Sequence, residues 1–183
     1  MASGRNGEIG FYFYEPRGII PLDERFVVRK SLRAAIDQSR FEIRIDTAFD
    51  EVIHQCARYD ELLDDEIWIS EEMKSLYSEL HRMGIAHSIE VWTDGALIGG
   101  LYGLTFGAAF CGESMFSKVS NASQIALIAL VEHLRKTGFT LLDSQMESEH
   151  LKQFGLYTVS QTEYLSLLSN AMESQADWNK IIS

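Results

Sequence analysis

At 183 residues, 46% hydrophobic and 11% aromatic, the chain can bury one sizeable core or two small lobes sharing one sheet, and one globular unit is expected. Lys and Arg number 16 against 27 Asp and Glu, a formal net charge of −11, which excludes a general affinity for polyanions and makes a soluble monomer the default. Cys56 and Cys111 form no CxxC pair, no apolar run reaches roughly 18 residues, and the start carries no hydrophobic leader, so a reducing cytoplasmic setting is expected.

In chain order, residues 1–10 are small, polar and glycine-bearing and predict a disordered lead. Residues 11–172 are expected to form a single domain, and residues 173–183 a tail that is polar apart from Trp178, Ile181 and Ile182. Phe11 to Tyr14 closes on a turn at Glu15-Pro16-Arg17-Gly18. Ile19 to Leu22 and Arg25 to Val28 read as short strands, edge or irregular because of Pro21. Arg29, Lys30, Arg33, Arg40 and Arg44 follow, five cations within sixteen residues of a very acidic chain.

Phe41 to Ile45 alternates with period two and predicts a half-buried strand. Phe49, Val52, Ile53 and Cys56 recur at helical spacing, placing a helix over about 47–58, and Tyr59 to Glu66 reads as an acidic loop. Ser70 suits the N-cap of a second helix, with Glu71 and Glu72 in its first turn, an apolar face of Met73, Leu76, Tyr77, Leu80 and Met83, and Gly84 as its stop. From Ala86 to Trp92, Ile89 and Val91 alternate with Ser88 and Glu90, and Asp94-Gly95 predicts a two-residue hairpin turn.

The return strand, 96–105, contains Gly99, Gly100 and Gly103, which weaken it and so point to a bulge or a close approach. A turn at Phe106 to Ala109 leads into a strand over 110–116, completing a three-strand meander. A greasy helix is predicted from Ser123 to about Lys136, then a strand over 139–145, a short helix over 148–154, a strand over 156–159 and a helix over 163–172.

Several chemistries fail on spacing. Gly112-Glu113-Ser114-Met115-Phe116 begins like a nucleophile elbow, but that turn needs glycine where Phe116 stands. Neither G-x-x-x-x-G-K-[ST] nor G-x-G-x-x-G occurs. His54, His81, His87, His133 and His150 offer no pair at metal-ligand spacing, so no metal is expected. The element order is α+β (mixed α/β) and resembles the GNAT-like acyltransferase fold, a central mostly antiparallel sheet flanked by helices. That fold's R/Q-x-x-G-x-G/A loop has no counterpart at Ser117 to Ala122, where no glycine lets amides converge on a pyrophosphate. No coenzyme A donor, and no cofactor, is expected.

Arg17 to Leu22, Phe49 to Ala57, Trp68-Ile69, His87 to Trp92, Gly99 to Gly103, Phe110 to Ser117 and Leu141 to Gln145 together resemble the leucyl/phenylalanyl-tRNA–protein transferase family, over about 16–167. The resemblance implies an aminoacyltransferase acting in the N-end rule route to protein degradation. It would move Leu or Phe, with Met open, from aminoacyl-tRNA to the N-terminal Arg or Lys of an acceptor protein, forming a peptide bond and an N-degron without coenzyme A. The family's extra amino-terminal domain is not expected in this chain.

Aminolysis of an activated ester needs a neutral amine, and an α-amino group with a pKa of about 8 is partly neutral at cytosolic pH, so orientation is the larger task. Strand alternation puts Asp143 and Gln145 on one face, and the resemblance makes them the catalytic pair. The Gln145 amide oxygen accepts from the attacking amine, while Asp143 orients Gln145 and attracts the basic acceptor. Ser144 stands where some members have cysteine, which argues against a nucleophile there. The same two residues read on composition alone as strand-end polar groups.

For the donor side chain the expected pocket is Leu101, Phe110, Met115 and Leu130, with Glu113 and Ser114 on its rim. Such flexible apolar groups discriminate Leu, Phe and Met weakly, though apolar strand residues are also ordinary core. Trp68 matches a family tryptophan and either stacks on the terminal adenosine or covers the core. Arg29, Lys30, Arg33, Arg40 and Arg44 are the expected phosphate contacts with tRNA, or else a solvated helix face, and Ala34, Asp37 and Gln38 thin that basic set, so weak, salt-sensitive binding is expected. His87 and His150 are expected to make structural hydrogen bonds. Two alternatives stay open: a degenerate module that holds tRNA or a basic N-terminal peptide without transfer, and an acyltransferase with a small-molecule donor.

Overall fold

The structure is a computed structural model that describes residues 2–3, 9–10, 13–38, 41–57 and 69–180. Within the lead, Ala2–Ser3 (β1) and Ile9–Gly10 (β2) pair antiparallel. The chain continues through β3 (Arg17–Ile20), α1 (Lys30–Gln38), β4 (Glu42–Ile45), α2 (Phe49–Ala57), α3 (Glu71–Arg82), β5 (Ala86–Thr93), β6 (Ala96–Phe106) and β7 (Ala109–Ser117). It ends with α4 (Ala122–Thr137), β8 (Leu141–Gln145), α5 (Glu149–Lys152), β9 (Tyr157–Val159) and α6 (Gln161–Glu173).

Hydrogen-bonded strand order is β4-β5-β6-β7-β8-β3-β9. The pairs β4/β5, β3/β8 and β3/β9 are antiparallel, and β7/β8 is parallel. This is the mixed, mostly antiparallel architecture expected of a GNAT-like chain. Among the described residues no helix is long and apolar enough to cross a membrane.

The chain divides into two compact units, the first made of residues 1–13, 42–103 and 113–126, the second of 14–41, 104–112 and 127–183. In the first, α2 buries Phe49, Val52, Ile53, Cys56 and Ala57, and α3 buries Met73 and Tyr77. Ser70 caps α3 as its position suggests, accepting the Met73 N–H at 3.3 Å. The expected apolar face of α3 is only half used, because Leu76 and Met83 are exposed.

Asp94 and Gly95 both take positive φ, 49° and 78°, which matches the twist of a two-residue hairpin joining β5 to β6. Gly99 answers to close approach: a Cβ there would stand 2.4 Å from the Ala122 Cβ. Ser117 Oγ accepts the Ser123 N–H at 2.8 Å and so occupies a free amide at the start of α4.

The alternation expected along β5 fails, since Ser88 and Glu90 are as buried as Ile89 and Val91. Glu90 is covered because donors surround it. Its carboxylate accepts the N–H groups of Thr47 and Ala48 at 2.8 and 2.7 Å, the Ser88 hydroxyl at 3.0 Å, the Trp92 indole at 3.2 Å and the Thr47 hydroxyl. Those bonds offset the cost of removing the charge from water.

In the second unit, Ile19, Ala109, Leu141, Tyr164 and Ala171 form a core cluster, joined by Tyr157, Val159, Leu167 and Leu168. Of the two readings that Pro21 leaves for this run, edge or irregular, β3 takes the second: it is internal, paired to β8 on one side and β9 on the other, its register against β8 shifts between Gly18 and Ile19, and Pro21 lies just past its end. Arg25 to Val28 is not a strand. Asp23 accepts both the Arg25 N–H, at 3.0 Å, and its guanidinium, closing a turn, and Phe26 stacks on Phe154 with centroids 5.6 Å apart. Trp178, in the segment read as a polar tail, is buried and stacks on Phe110, with His133 and Phe139 edge-on to it.

Candidate active site

Asp143 follows Leu141 and Leu142 along β8 and is fully buried. A carboxylate taken out of water at that depth needs donors, and three elements supply them. From β3, Arg17 donates through Nε to Oδ1 and Oδ2 at 3.0 and 3.2 Å and through Nη2 to Oδ2 at 2.6 Å. From α6, the Tyr164 hydroxyl donates to Oδ2 at 2.8 Å, and from β8 itself the Gln145 N–H donates to Oδ1 at 2.8 Å.

The Arg17 guanidinium also lies over the Tyr164 ring, 4.7 Å from its centroid. Burial works against the Arg17 charge, but the hydrogen bonds and the charge of Asp143 outweigh it and hold the guanidinium above its ordinary range. Burial, then the neighbouring carboxylate charge, push the Tyr164 phenol well up, so it keeps its proton and donates it.

The strand is irregular where this matters. Gly18 pairs with Gln145 and Ile19 with Asp143, so one step along β3 spans two along β8 and Ser144 is the extra residue of a bulge. Gly18 makes room for it, since a Cβ there would come 2.6 Å from the Met146 carbonyl oxygen and 2.8 Å from Ser144 Oγ. Gln145 adopts φ +66°, left-handed backbone that an L residue seldom takes. The alternation expected to align Asp143 and Gln145 therefore stops at the bulge. A backbone hydrogen bond joins them instead.

Gln145 is half-buried, and its Nε2 donates to the Gly112 carbonyl on β7 at 2.8 Å. A carbonyl can only accept, so the amide nitrogen must face Gly112 and Oε1 faces away. Among the described residues Oε1 has no donor. The arrangement is a fixed, partly exposed hydrogen-bond acceptor whose support is a neutralised, inaccessible carboxylate.

The other expected residues divide by exposure. Leu101, Phe110 and Leu130 are core, 3%, 0% and 1% exposed. Glu113, Ser114 and Met115, consecutive on β7 in the first unit, are all half-buried. Arg29, Lys30 and Arg33 are exposed at the start of α1, which is anchored by buried Leu32, and among the described residues none of the three is in an ion pair. Arg44 is already engaged: it bonds Glu42 at 2.8 Å and lies 4.5 Å over the Trp92 ring. Trp68 and Arg40 lie outside the described residues.

His87 is buried, with Nδ1 2.8 Å from Asp46 Oδ2 and Nε2 3.1 Å from the Gly84 carbonyl. His150 is exposed. Sequence reasoning assigned no role to Arg17, Tyr164 or the Gly112 carbonyl. A signal was there, since an acid directly after two leucines in a buried strand requires hydrogen-bond donors nearby.

The sequence model of the family described as leucyl/phenylalanyl-tRNA protein transferase matches residues 19–169. The chain is 49% identical over 175 residues to the leucyl/phenylalanyl-tRNA–protein transferase of Akkermansia muciniphila, covering 96% of this chain and 90% of that one. It is also 49% identical over 171 residues to the protein of that name from Herpetosiphon aurantiacus, covering 93% and 87%. Among solved structures it is similar to L-PGS from Bacillus licheniformis, with a TM-score of 0.50 and 12% identity over 87% of this chain and 65% of that one, a likeness of fold alone.

Proposed function

Because the chain belongs to the leucyl/phenylalanyl-tRNA protein transferase family of aminoacyltransferases, we propose that it transfers leucine or phenylalanine, and methionine where offered, from aminoacyl-tRNA to proteins beginning with Arg or Lys. The product then carries a destabilising amino terminus and is marked for degradation. Aminoacyl-tRNA is made where translation runs, so the reaction belongs to the cytoplasm.

The neutral α-amine of the acceptor attacks the carbonyl carbon of the aminoacyl ester. A C–N bond forms, the ester C–O bond breaks, and the amine proton ends on the ribose oxygen of the departing tRNA. Gln145 Oε1 accepts a hydrogen bond from the amine and aims its lone pair, but a neutral amide does not take the proton away. Asp143 holds Gln145. Its buried charge is balanced by Arg17, which leaves positioning rather than attraction of the acceptor as its part. Met115, with Glu113 and Ser114 beside it, meets the donor side chain, and Arg29, Lys30 and Arg33 meet tRNA phosphates.

The observation that carries this reading is the open Oε1 of an amide whose nitrogen is pinned on Gly112. Gln145→Ala is expected to lower transfer of labelled leucine from leucyl-tRNA to an Arg-initiated peptide by about 100-fold, the scale of lost orientation. A folded variant that transfers at the unaltered rate removes the assignment.

A further inference from the structure

We infer that Arg17 and Tyr164 are positioning residues of the transfer reaction, acting through the Asp143 carboxylate to set the backbone of Gln145 and hence the direction of its amide oxygen. The inference rests on the role given to Gln145 above.

The hydrogen bonds divide between the two carboxylate oxygens in a way that specifies an orientation. Oδ2 takes Arg17 Nη2 at 2.6 Å and the Tyr164 hydroxyl at 2.8 Å, while Oδ1 takes Arg17 Nε at 3.0 Å and the Gln145 N–H at 2.8 Å. A guanidinium engaged edge-on fixes the plane of a carboxylate, and the tyrosine removes its remaining freedom. Oδ1 then holds the Gln145 N–H, and with it the Ser144–Gln145 peptide plane from which the left-handed residue, at φ +66°, departs. Strained backbone of this kind persists only when its surroundings over-determine it, and here β3, β8 and α6 each contribute one side chain.

Stability alone does not account for the cluster. It sits against Ile19, Ala109, Leu141 and Ala171, and a buried ion pair is commonly no better for stability than apolar residues of the same volume. What the polar groups supply is direction. They fix it at Gln145, whose side chain is half-buried and whose Oε1 has no donor among the described residues.

The experiment is a double-mutant cycle on the full chain, with labelled leucyl-tRNA and an Arg-initiated peptide. Tyr164→Phe deletes one donor and keeps the ring. It is expected to lower kcat about 10-fold, one misplaced hydrogen bond's worth, with KM for leucyl-tRNA unmoved, and to cost nothing further in a Gln145→Ala background. Arg17→Lys keeps the charge, loses the fork and should follow the same pattern. Independently of catalysis, the backbone amide resonance of Gln145 in heteronuclear NMR should shift in both variants.

Equal losses from Tyr164→Phe with and without Gln145, or an unmoved Gln145 resonance, overturn the inference and leave the role of Gln145 standing. If Gln145→Ala alone transfers at the full rate, the role of Gln145 fails first and this inference falls with it. Should Tyr164→Phe fold poorly, Arg17→Lys decides between the same outcomes.

Discussion

Buried ionisable groups in this chain divide by whether donors reach them. Asp143 and Glu90 are fully buried, yet each collects several hydrogen bonds. Cys56, 3% exposed on α2, has far less support: burial pushes its thiol up to about 12, and the hydrogen bond with Ser114 only partly opposes that. The nucleophile is the thiolate, so in a Cys111→Ala variant, where Cys56 is the remaining thiol, iodoacetamide at pH 8 should react no faster than the protein unfolds. Labelling at the rate of a free thiol would contradict this. The sign for stability follows from the same shift. The folded state prefers the neutral thiol, so its contribution is intact below the ordinary thiol value of 9.0 and is lost as pH rises toward about 12.

Elements built on local chemistry match their sequence signals. Ser70 ahead of Glu71 and Glu72 marks the start of α3 because a hydroxyl can reach an amide that helix geometry leaves free. Ser70→Ala should cost about 1 kcal/mol and lower Tm by about 2–4 °C, readable by calorimetry. The hairpin at Asp94-Gly95 and α4 are legible for similar reasons. Arg25 to Val28 misleads because a β-branched run makes a strand only where a neighbouring backbone is available, and Val27 finds a single carbonyl, that of Phe154, at 3.2 Å. β8 is legible as a strand but not as a bulged one. Ser144 becomes the extra residue because β3 lies beside it with Gly18 opposite Gln145.

For the molecule as a whole, a net charge of −11 opposes binding to any nucleic acid at long range. Under the proposed function, contact with tRNA phosphates is assigned to the short basic run at Arg29, Lys30 and Arg33, since Arg44 is taken by Glu42 and Trp92. Neutralising about three phosphates should give a log–log slope of tRNA affinity against salt of roughly −2 to −3. Filter binding across a salt series checks this, and a flat response would remove these residues from the interface. A triple replacement of the three by alanine should flatten the slope and leave the Gln145 amide resonance in place.

By itself the sequence determined the order and type of most elements and the blocks that carry the family. These are local matters of periodicity, capping and short motifs. Only the tertiary structure decided that Asp143 is spent on Arg17, 126 residues away, and on Tyr164, 21 residues away, or that Glu90 turns inward to hold Thr47 and Ala48. Such partners follow from which strand lies beside which. Placing β3 between β8 and β9 is a long-range choice that no pattern within one segment can encode, and the left-handed turn of Gln145 comes with it.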